Sequence, residues 1–411
     1  MSTTFESIRL SGFLSFKPDA QEIELRPLNV IIGPNGTGKS NLLEAFSLLR
    51  SMAIDVSAAV REGGGALEWL WKGPGDTSSA IIDTKFKFPE IRQSLRHLFA
   101  FTAVDQRMEV SDERLENKAP NFPEADDVFF YYRWQHGRPV TSARNLGPVN
   151  DETGFVEAVM RGLDEGGHPV GLTARKLVRI EIPANQSILS QRRDPDTYPE
   201  ITSTAELFSR IQVFREWTFG RNAPARRPQA ADLPTDFLLP DLSNLGLVLN
   251  ELQHQPGKWT RFQEACARFL PRFKQLTTRI VSNTVQIYVH EENLSSPIPA
   301  TRLSDGTLRF LGLLAILLGA RDYPLICIEE PELGLHPDAI ALLAELLIEA
   351  SALTQVIVTT HSESLISALG ERVDSILVCQ HTPVTGTTLK VRARCPHAER
   401  FFTTLESLIT N

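Results

Sequence analysis

Short, wholly apolar runs punctuate the two ends of the chain: Val30-Ile31-Ile32 near the start, Leu325-Ile326-Cys327-Ile328 and Val356-Ile357-Val358 later, then Ile376-Leu377-Val378. Runs of this length, bounded by turn residues, predict strands buried on both faces. Apolar-periodic stretches at 308–318, 337–351 and 362–369 predict helices between them. Strands alternating with helices predict a parallel α/β sheet.

The first 60 residues add two strands and a helix. Residues 5–16 alternate enough to predict a strand ending near Gly12, and 21–25 (Gln-Glu-Ile-Glu-Leu) predict a half-exposed second strand. A helix is expected from Lys39 to Met52, and on towards Val60, with Gly63-Gly64-Gly65 as its breaker. From 80 to 191 the pattern shifts. Strands are expected at 80–88, 128–134 and 176–182, a helix at 91–99, and an exposed acidic loop at 112–127. This block predicts an antiparallel sheet beside the core. Residues 204–219 and 245–280 predict helices, with Leu245, Leu249, Leu252, Trp259, Phe262, Cys266, Phe269 and Leu270 at helical spacing. The expected division is 1–75, first half of the core domain; 76–195, a β-rich part; 196–280, an inserted helical lobe; and 281–411, second half of the core. No internal repeat or long heptad run is visible.

Composition changes this picture little. With 411 residues, 42% hydrophobic and 22% charged, the chain is long enough for several lobes, and a net charge of −8 excludes a uniformly basic nucleic-acid binder. The N-terminus lacks a signal-peptide pattern, and the apolar stretch 310–320 is too short to span a bilayer, so a cytosolic chain without membrane attachment is expected. Cys266, Cys327, Cys379 and Cys395 have no CxxC spacing. Cys379, His381, Cys395 and His397 can be assembled on paper into a zinc site, but their spacing matches no familiar finger.

The chemistry sits at the ends of the apolar runs. After Val30-Ile31-Ile32 comes Gly33-Pro-Asn-Gly-Thr-Gly-Lys39-Ser40, the Gly-x4-Gly-Lys-Ser phosphate-loop pattern, preceded by a strand and followed by a helix as the motif requires. Its glycines let backbone N–H groups turn towards phosphate oxygens, and the helix N-terminus adds its positive end. Lys39 can reach the β- and γ-phosphates and Ser40 can hold Mg²⁺. Asn35, Gly36, Thr37, Gly38, Lys39, Ser40 and Asn41 are the expected nucleotide-binding residues.

Glu329 and Glu330 follow a buried strand at the end where open α/β sheets bind ligands. Adjacent strand residues point to opposite sides. Glu329 is therefore expected at the metal, and Glu330 at the attacking water, with Glu332 as a second candidate. His361, at the end of another strand, is the expected γ-phosphate sensor. Arg302-Leu303-Ser304-Asp305-Gly306 precedes an apolar helix. Ser304 or Asp305 can be its N-cap; alternatively Ser304 and Gly306 form a second phosphate-binding helix end, acting on a nucleotide held by another subunit.

Together, Gly33 to Ser40, Leu303-Ser304-Asp305-Gly306, Glu329-Glu330 and His361 resemble the ABC-type ATPase heads, and more closely the SMC, RecF and OLD group of DNA-related ATPases. The chain looks like a stand-alone AAA-family ATPase of RecF- and OLD-like kind. The resemblance implies a P-loop NTPase of α/β class: an ABC-type head with a parallel core sheet, an antiparallel β subdomain and an inserted helical lobe. It also implies ATP and Mg²⁺ as cofactors, and a homodimer closed around two ATP molecules. Ser304, Asp305 and Gly306 become the signature motif, and Gly334-Leu-His-Pro337 the D-loop. Gln191, with Gln186 as fallback, becomes the glutamine that senses metal and water. Three departures are visible: a signature reading Leu-Ser-Asp-Gly-Thr, Glu329 where Asp is commoner, and a D-loop without its usual Asp, although Asp338 is near.

The function so implied is an ATP-hydrolysing switch in a DNA-related process, anti-phage defence or DNA repair, working with a partner effector such as a nuclease. No Glu plus Asp-x-Asp cluster follows His361, so a nuclease centre of the chain's own is not expected. Arg192, Arg193, Arg210, Arg215, Arg221, Arg226 and Arg227 could form a basic face for DNA phosphates, or simply a surface balanced by nearby acids. The ATPase subunit of a membrane transporter, or a DNA-binding repair scaffold with little turnover, is the alternative.

Overall fold

The computed structural model describes residues 4–74, 77–88, 93–120, 127–135, 138–144, 157–163, 169–215, 217–320, 323–370 and 373–391. In chain order, β1 (Phe5–Ser11), β2 (Ile23–Glu24) and β3 (Leu28–Ile32) lead into α1 (Lys39–Met52), α2 (Val56–Glu62) and α3 (Ala66–Trp69). Seven strands follow: β4 (Ala80–Phe86), β5 (Leu95–Val104), β6 (Arg107–Asn117), β7 (Phe130–Gln135), β8 (Arg138–Arg144), β9 (Glu157–Leu163) and β10 (Pro169–Arg179). Next come α4 (Ile188–Gln191), α5 (Pro199–Ser209), β11 (Gln212–Phe214), β12 (Gln229–Ala230), α6 (Leu245–Gln253) and α7 (Pro256–Phe269). The remainder is β13 (Phe273–Val281), β14 (Thr284–Glu291), β15 (Ile298–Pro299), α8 (Asp305–Leu318), β16 (Leu325–Glu329), α9 (Asp338–Ser351), β17 (Gln355–Thr360), α10 (Glu363–Ala368), β18 (Ile376–Thr382) and β19 (Gly386–Val391).

Three sheets result. The core sheet has the order β11-β16-β17-β3-β18-β19, parallel throughout except for the β18–β19 hairpin. An antiparallel sheet runs β2-β1-β4-β5-β6-β7-β8-β10-β9, and a smaller one is built from β12, β14 and β13 with β15 on the β14 edge. The apolar strands sort their side chains by parity. Ile31, Cys327, Ile357 and Leu377 face a core shared with α1 and the antiparallel sheet. Val30, Ile32, Ile326, Ile328, Val356 and Val358 face a second core made with α6, α8 and α9. That two-sided burial is why these strands read as continuous apolar runs. In the first core, Phe5, Phe46, Phe86 and Phe208 are all fully buried, and Phe5 and Phe208 have ring centroids 6.0 Å apart.

Five expectations are corrected. The helix expected at 91–99 is strand β5 from Leu95 onward. Leu98, Phe99, Ala100 and Phe101 are buried on both strand faces, which erased the polar alternation that marks a strand. The acidic loop expected from 112 begins as β6, which runs to Asn117. Its acids are inside because they are paired: Glu113 with His97 and Ser187, Glu116 with Arg96 and Arg133. The helix expected at 204–219 ends at Ser209 and gives way to β11, and the one expected to run to 280 ends at Phe269 before β13. The helix expected to pass Met52 breaks where Asp55 caps α2 with its own side chain, accepting from the Ala58 N–H at 2.9 Å.

Candidate nucleotide site

The site collects at the carboxyl ends of β3, β16 and β17, neighbours in the core sheet. The loop after β3 turns into α1 through Gly38 at φ +97°, a left-handed conformation that side chains resist. A Cβ there would meet the Ser15 and Thr387 hydroxyls. Thr387 Oγ1 donates to the Thr37 carbonyl at 2.7 Å, and the Cys379 thiol donates to the same carbonyl at 3.4 Å. The β18–β19 hairpin thus holds the loop from one side. Cys266, Cys327 and Cys379 are buried free thiols. Of the paper zinc set, Cys395 and His397 lie outside the described residues. Among the described residues no cluster of three or more His, Cys, Asp or Glu side chains could hold a metal.

Lys39 is almost fully buried and folds back on its own loop, donating to the Gly33 carbonyl at 2.8 Å and the Pro34 carbonyl at 3.0 Å. Burial lowers its pKa; the charges of Glu330, Glu329 and Glu332 oppose that. Those two carbonyl bonds are ones an incoming phosphate can replace. Thr37 Oγ1 donates to the Pro34 carbonyl at 2.9 Å, while the Asn41 amide donates to Ser15 Oγ at 2.7 Å and so braces the loop. Asn35 and Gly36 form the exposed turn, Gly36 at φ +76°.

Ser40 Oγ donates to Glu329 Oε1 in a short bond. A hydroxyl and a carboxylate meeting at the start of a phosphate-loop helix are the hard oxygen donors that Mg²⁺ prefers, so the residues fit that ion. Glu330 follows with φ +44°, a left-handed backbone that β16 leaves as it enters the next turn. Its N–H donates to the Thr359 carbonyl at 3.0 Å, and its own carbonyl accepts from Arg309 Nη2 at 2.9 Å. His361 Nε2 lies 3.1 Å from Glu330 Oε1. Burial lowers the His361 pKa, Lys39 adds to the effect, and Glu330 and Glu332 oppose it. Glu332 is tied down otherwise: Oε1 accepts from the Thr360 hydroxyl at 2.5 Å and from the His361 N–H at 3.1 Å. These bonds fix the backbone that carries the histidine.

The signature segment is built as a capped helix start. Ser304 Oγ accepts from the Thr307 N–H at 3.0 Å. Asp305 is held by Arg226 and by the Gly220 N–H at 3.1 Å, and these bonds lower its pKa. Gly306 lies against the D-loop segment: a Cβ there would come within 2.6 Å of the Gly334 carbonyl. Arg309, one turn on, lies over the Trp217 ring at 5.2 Å and the Phe219 ring at 5.5 Å.

Two findings differ from expectation. Neither glutamine bonds Ser40 or Glu329. Gln191 donates to Ser190 Oγ at 3.1 Å and Gln186 to Asp55 Oδ1 at 3.0 Å. The side chain found beside Glu329 is Arg215, whose Nε is 3.1 Å from Glu329 Oε2 and whose Nη1 bonds Glu44. The sequence left Arg215 open between a basic face and a surface balanced by nearby acids. The structure spends Arg215 and Arg226 on acids instead, turns Arg192 and Arg193 onto the Gln191 and Ala53 carbonyls, and sets Arg227 on Asn222. The available signal was the Gln212-Val213-Phe214 run before Arg215, masked by the helix reading of 204–219.

The arrangement sets a lysine against a glycine-rich loop, a hydroxyl against a carboxylate and a second carboxylate beside a histidine. Two family models match the sequence: one described as "AAA domain, putative AbiEii toxin, Type IV TA system" over residues 170–367, and one described as "AAA domain" over 7–49. Among solved structures, an SMC head bound to the C-winged helix domain of ScpA is similar, with 13% identity, a TM-score of 0.55, and coverage of 94% of this chain and 97% of that one. The fold is that of an SMC head domain. An Smc head with an extended coiled coil, bound to the C-terminal domain of ScpA derived from Pyrococcus furiosus, is also similar, with 14% identity, a TM-score of 0.53, and coverage of 98% of this chain and 99% of that one. No curated protein sequence matches the chain. Among the described residues no helix is long and apolar enough to cross a membrane.

Proposed function

We propose that the chain binds and hydrolyses Mg·ATP and that two copies close around two nucleotides. In this reading Lys39 and the loop Asn35–Asn41 bind the phosphates, and Ser40 and Glu329 hold Mg²⁺. Glu330 polarises the attacking water. His361, oriented by Glu332 through its backbone, donates to the γ-phosphate. Ser304 and Gly306 of the second copy cover that phosphate. Bound metal would supply charge neutralisation on the phosphates. Gln191 enters this scheme only if it moves towards the metal on nucleotide binding.

The observation that supports the reading most is the convergence of Ser40 with Glu329 and of Glu330 with His361 at the ends of neighbouring strands. The bipartite site supports a role as a switch: ATP holds two copies together, and hydrolysis releases them. The resemblance to SMC heads crystallised with ScpA domains supports a protein effector as the thing switched. The description of the matched AAA domain family, which names a putative toxin, is nearer to defence than to repair. A partner nuclease and a DNA-related process rest on resemblance alone, because the arginines offered for DNA are largely engaged within the chain.

Glu330→Gln tests the reading. It should retain ATP and sediment as a dimer with Mg·ATP and as a smaller species without it. A variant that binds ATP yet never associates would remove the two-copy site.

A further inference from the structure

Arg215 is the first residue after β11, the edge strand paired in parallel with β16. The register sets Phe214 opposite Ile328, so Arg215 leaves the sheet level with Glu329. Its Nε is 3.1 Å from Glu329 Oε2, and its Nη1 bonds the carboxylate of Glu44, one turn beyond Ser40 on α1. The other oxygen of Glu329 accepts from Ser40 Oγ. One guanidinium therefore balances both acids that flank the place assigned to the metal. Glu330, Glu332 and Lys39 also face this region. Lys39, however, is turned onto the Gly33 and Pro34 carbonyls, which leaves Arg215 as the cation in contact with Glu329 among the described residues.

A divalent cation and a guanidinium on the same carboxylate repel each other, and the interior screens that repulsion less than water does. We propose that Arg215 is a positioning residue that takes the metal's place electrostatically in the nucleotide-free protein. It keeps Glu329 and Glu44 charge-balanced and in position, and it holds free divalent cations out. Metal then enters only when nucleotide phosphates bring enough negative charge to offset the guanidinium. The inference rests on the ATP reading for the identity of the nucleotide, but not for the exclusion of free metal.

The test titrates Mn²⁺ alone into the nucleotide-free full chain and reads free Mn²⁺ by electron paramagnetic resonance. The parent and Arg215→Lys should bind Mn²⁺ weakly, whereas Arg215→Gln should bind it at least about tenfold more tightly, because two carboxylates lose their counter-charge. In chelator, Arg215→Gln should melt below the parent, and Mn²⁺ should restore it. Arg215→Met, apolar and of similar length, must repeat the gain should the amide disturb the loop. Equal Mn²⁺ affinity in parent and folded uncharged variants overturns the proposal. A parent that fails to bind ATP overturns the ATP reading, and the Mn²⁺ comparison still judges the role of Arg215.

Discussion

His361 Nε2 and Glu330 Oε1 lie 3.1 Å apart across two neighbouring parallel strands. The contact joins the residue proposed to polarise the attacking water to the proposed phosphate sensor. Glu330→Gln should lower steady-state phosphate release by about 100-fold or more, the range for losing a positioned general base. His361→Ala should cost about 10- to 100-fold, with ATP affinity little changed. Phosphate release paired with nucleotide titration separates the two effects.

The same histidine sets an expected pH response. Its pKa lies below the ordinary 6.5 because it is partly buried and faces Lys39. A lowered pKa means the neutral ring predominates at pH 7. The acid limb of the pH–rate profile should therefore fall below pH 6.5, and His361→Asn should remove that limb. Stability follows the same sign: this contribution is complete above the unfolded value and is lost as pH falls through the folded one.

Lys39→Ala should abolish ATP binding while leaving the melting temperature near that of the parent. Among the described residues Lys39 Nζ bonds only carbonyls of its own loop, so its removal relieves a buried charge as well as losing two bonds. Equilibrium dialysis should show affinity reduced by about 100-fold or more, the order expected for losing the charged contact to phosphate in a desolvated site. Retained tight binding would refute the loop assignment.

Ser304→Arg should block association of two copies and the hydrolysis that depends on it, with single-copy ATP binding intact. The serine also caps α8, so about 1 kcal/mol of stability should go with it. Ser304→Asp, which keeps the cap but adds charge where a phosphate would approach, separates the two roles. It should leave the melting temperature unchanged and still prevent association in a sedimentation experiment.

Arg309→Met should lower turnover without weakening ATP binding. This arginine carries the position of α8 to the Glu330 carbonyl, 2.9 Å away, and it rests on Trp217 and Phe219. Losing a charged hydrogen bond of this kind should destabilise the fold by about 2 kcal/mol, readable by urea titration.

Strands β3, β16 and β17 of the core sheet were legible because each is buried on both faces and ends in a charged or glycine-rich motif. Val30 to Ser40, Leu325 to Glu330 and Val356 to His361 each place an apolar run directly before the chemistry. The antiparallel sheet was only partly legible. In β5 the buried Leu98 and Ala100 removed the alternation, and in β6 the buried Glu113 and Glu116 looked like solvent residues until their partners were known. Arg215 was legible as a charge but not as a site residue. The three-residue β11 is too short to announce itself in sequence, and its place beside β16 is a long-range fact.

The strand that carries the phosphate loop has neighbours from far along the chain: β3 is flanked by β17 and β18. Near the start, the Phe5 N–H already relies on the side chain of Gln355, at 2.9 Å. During synthesis β3 therefore emerges long before either partner strand, with its apolar face and open edges unpaired. Such a chain has a high contact order, folds slowly and leaves an aggregation-prone segment waiting. The phosphate loop gains its full support only after residue 387 has left the ribosome. Translation products ending before β17 therefore lack the strands that flank the phosphate loop's own strand.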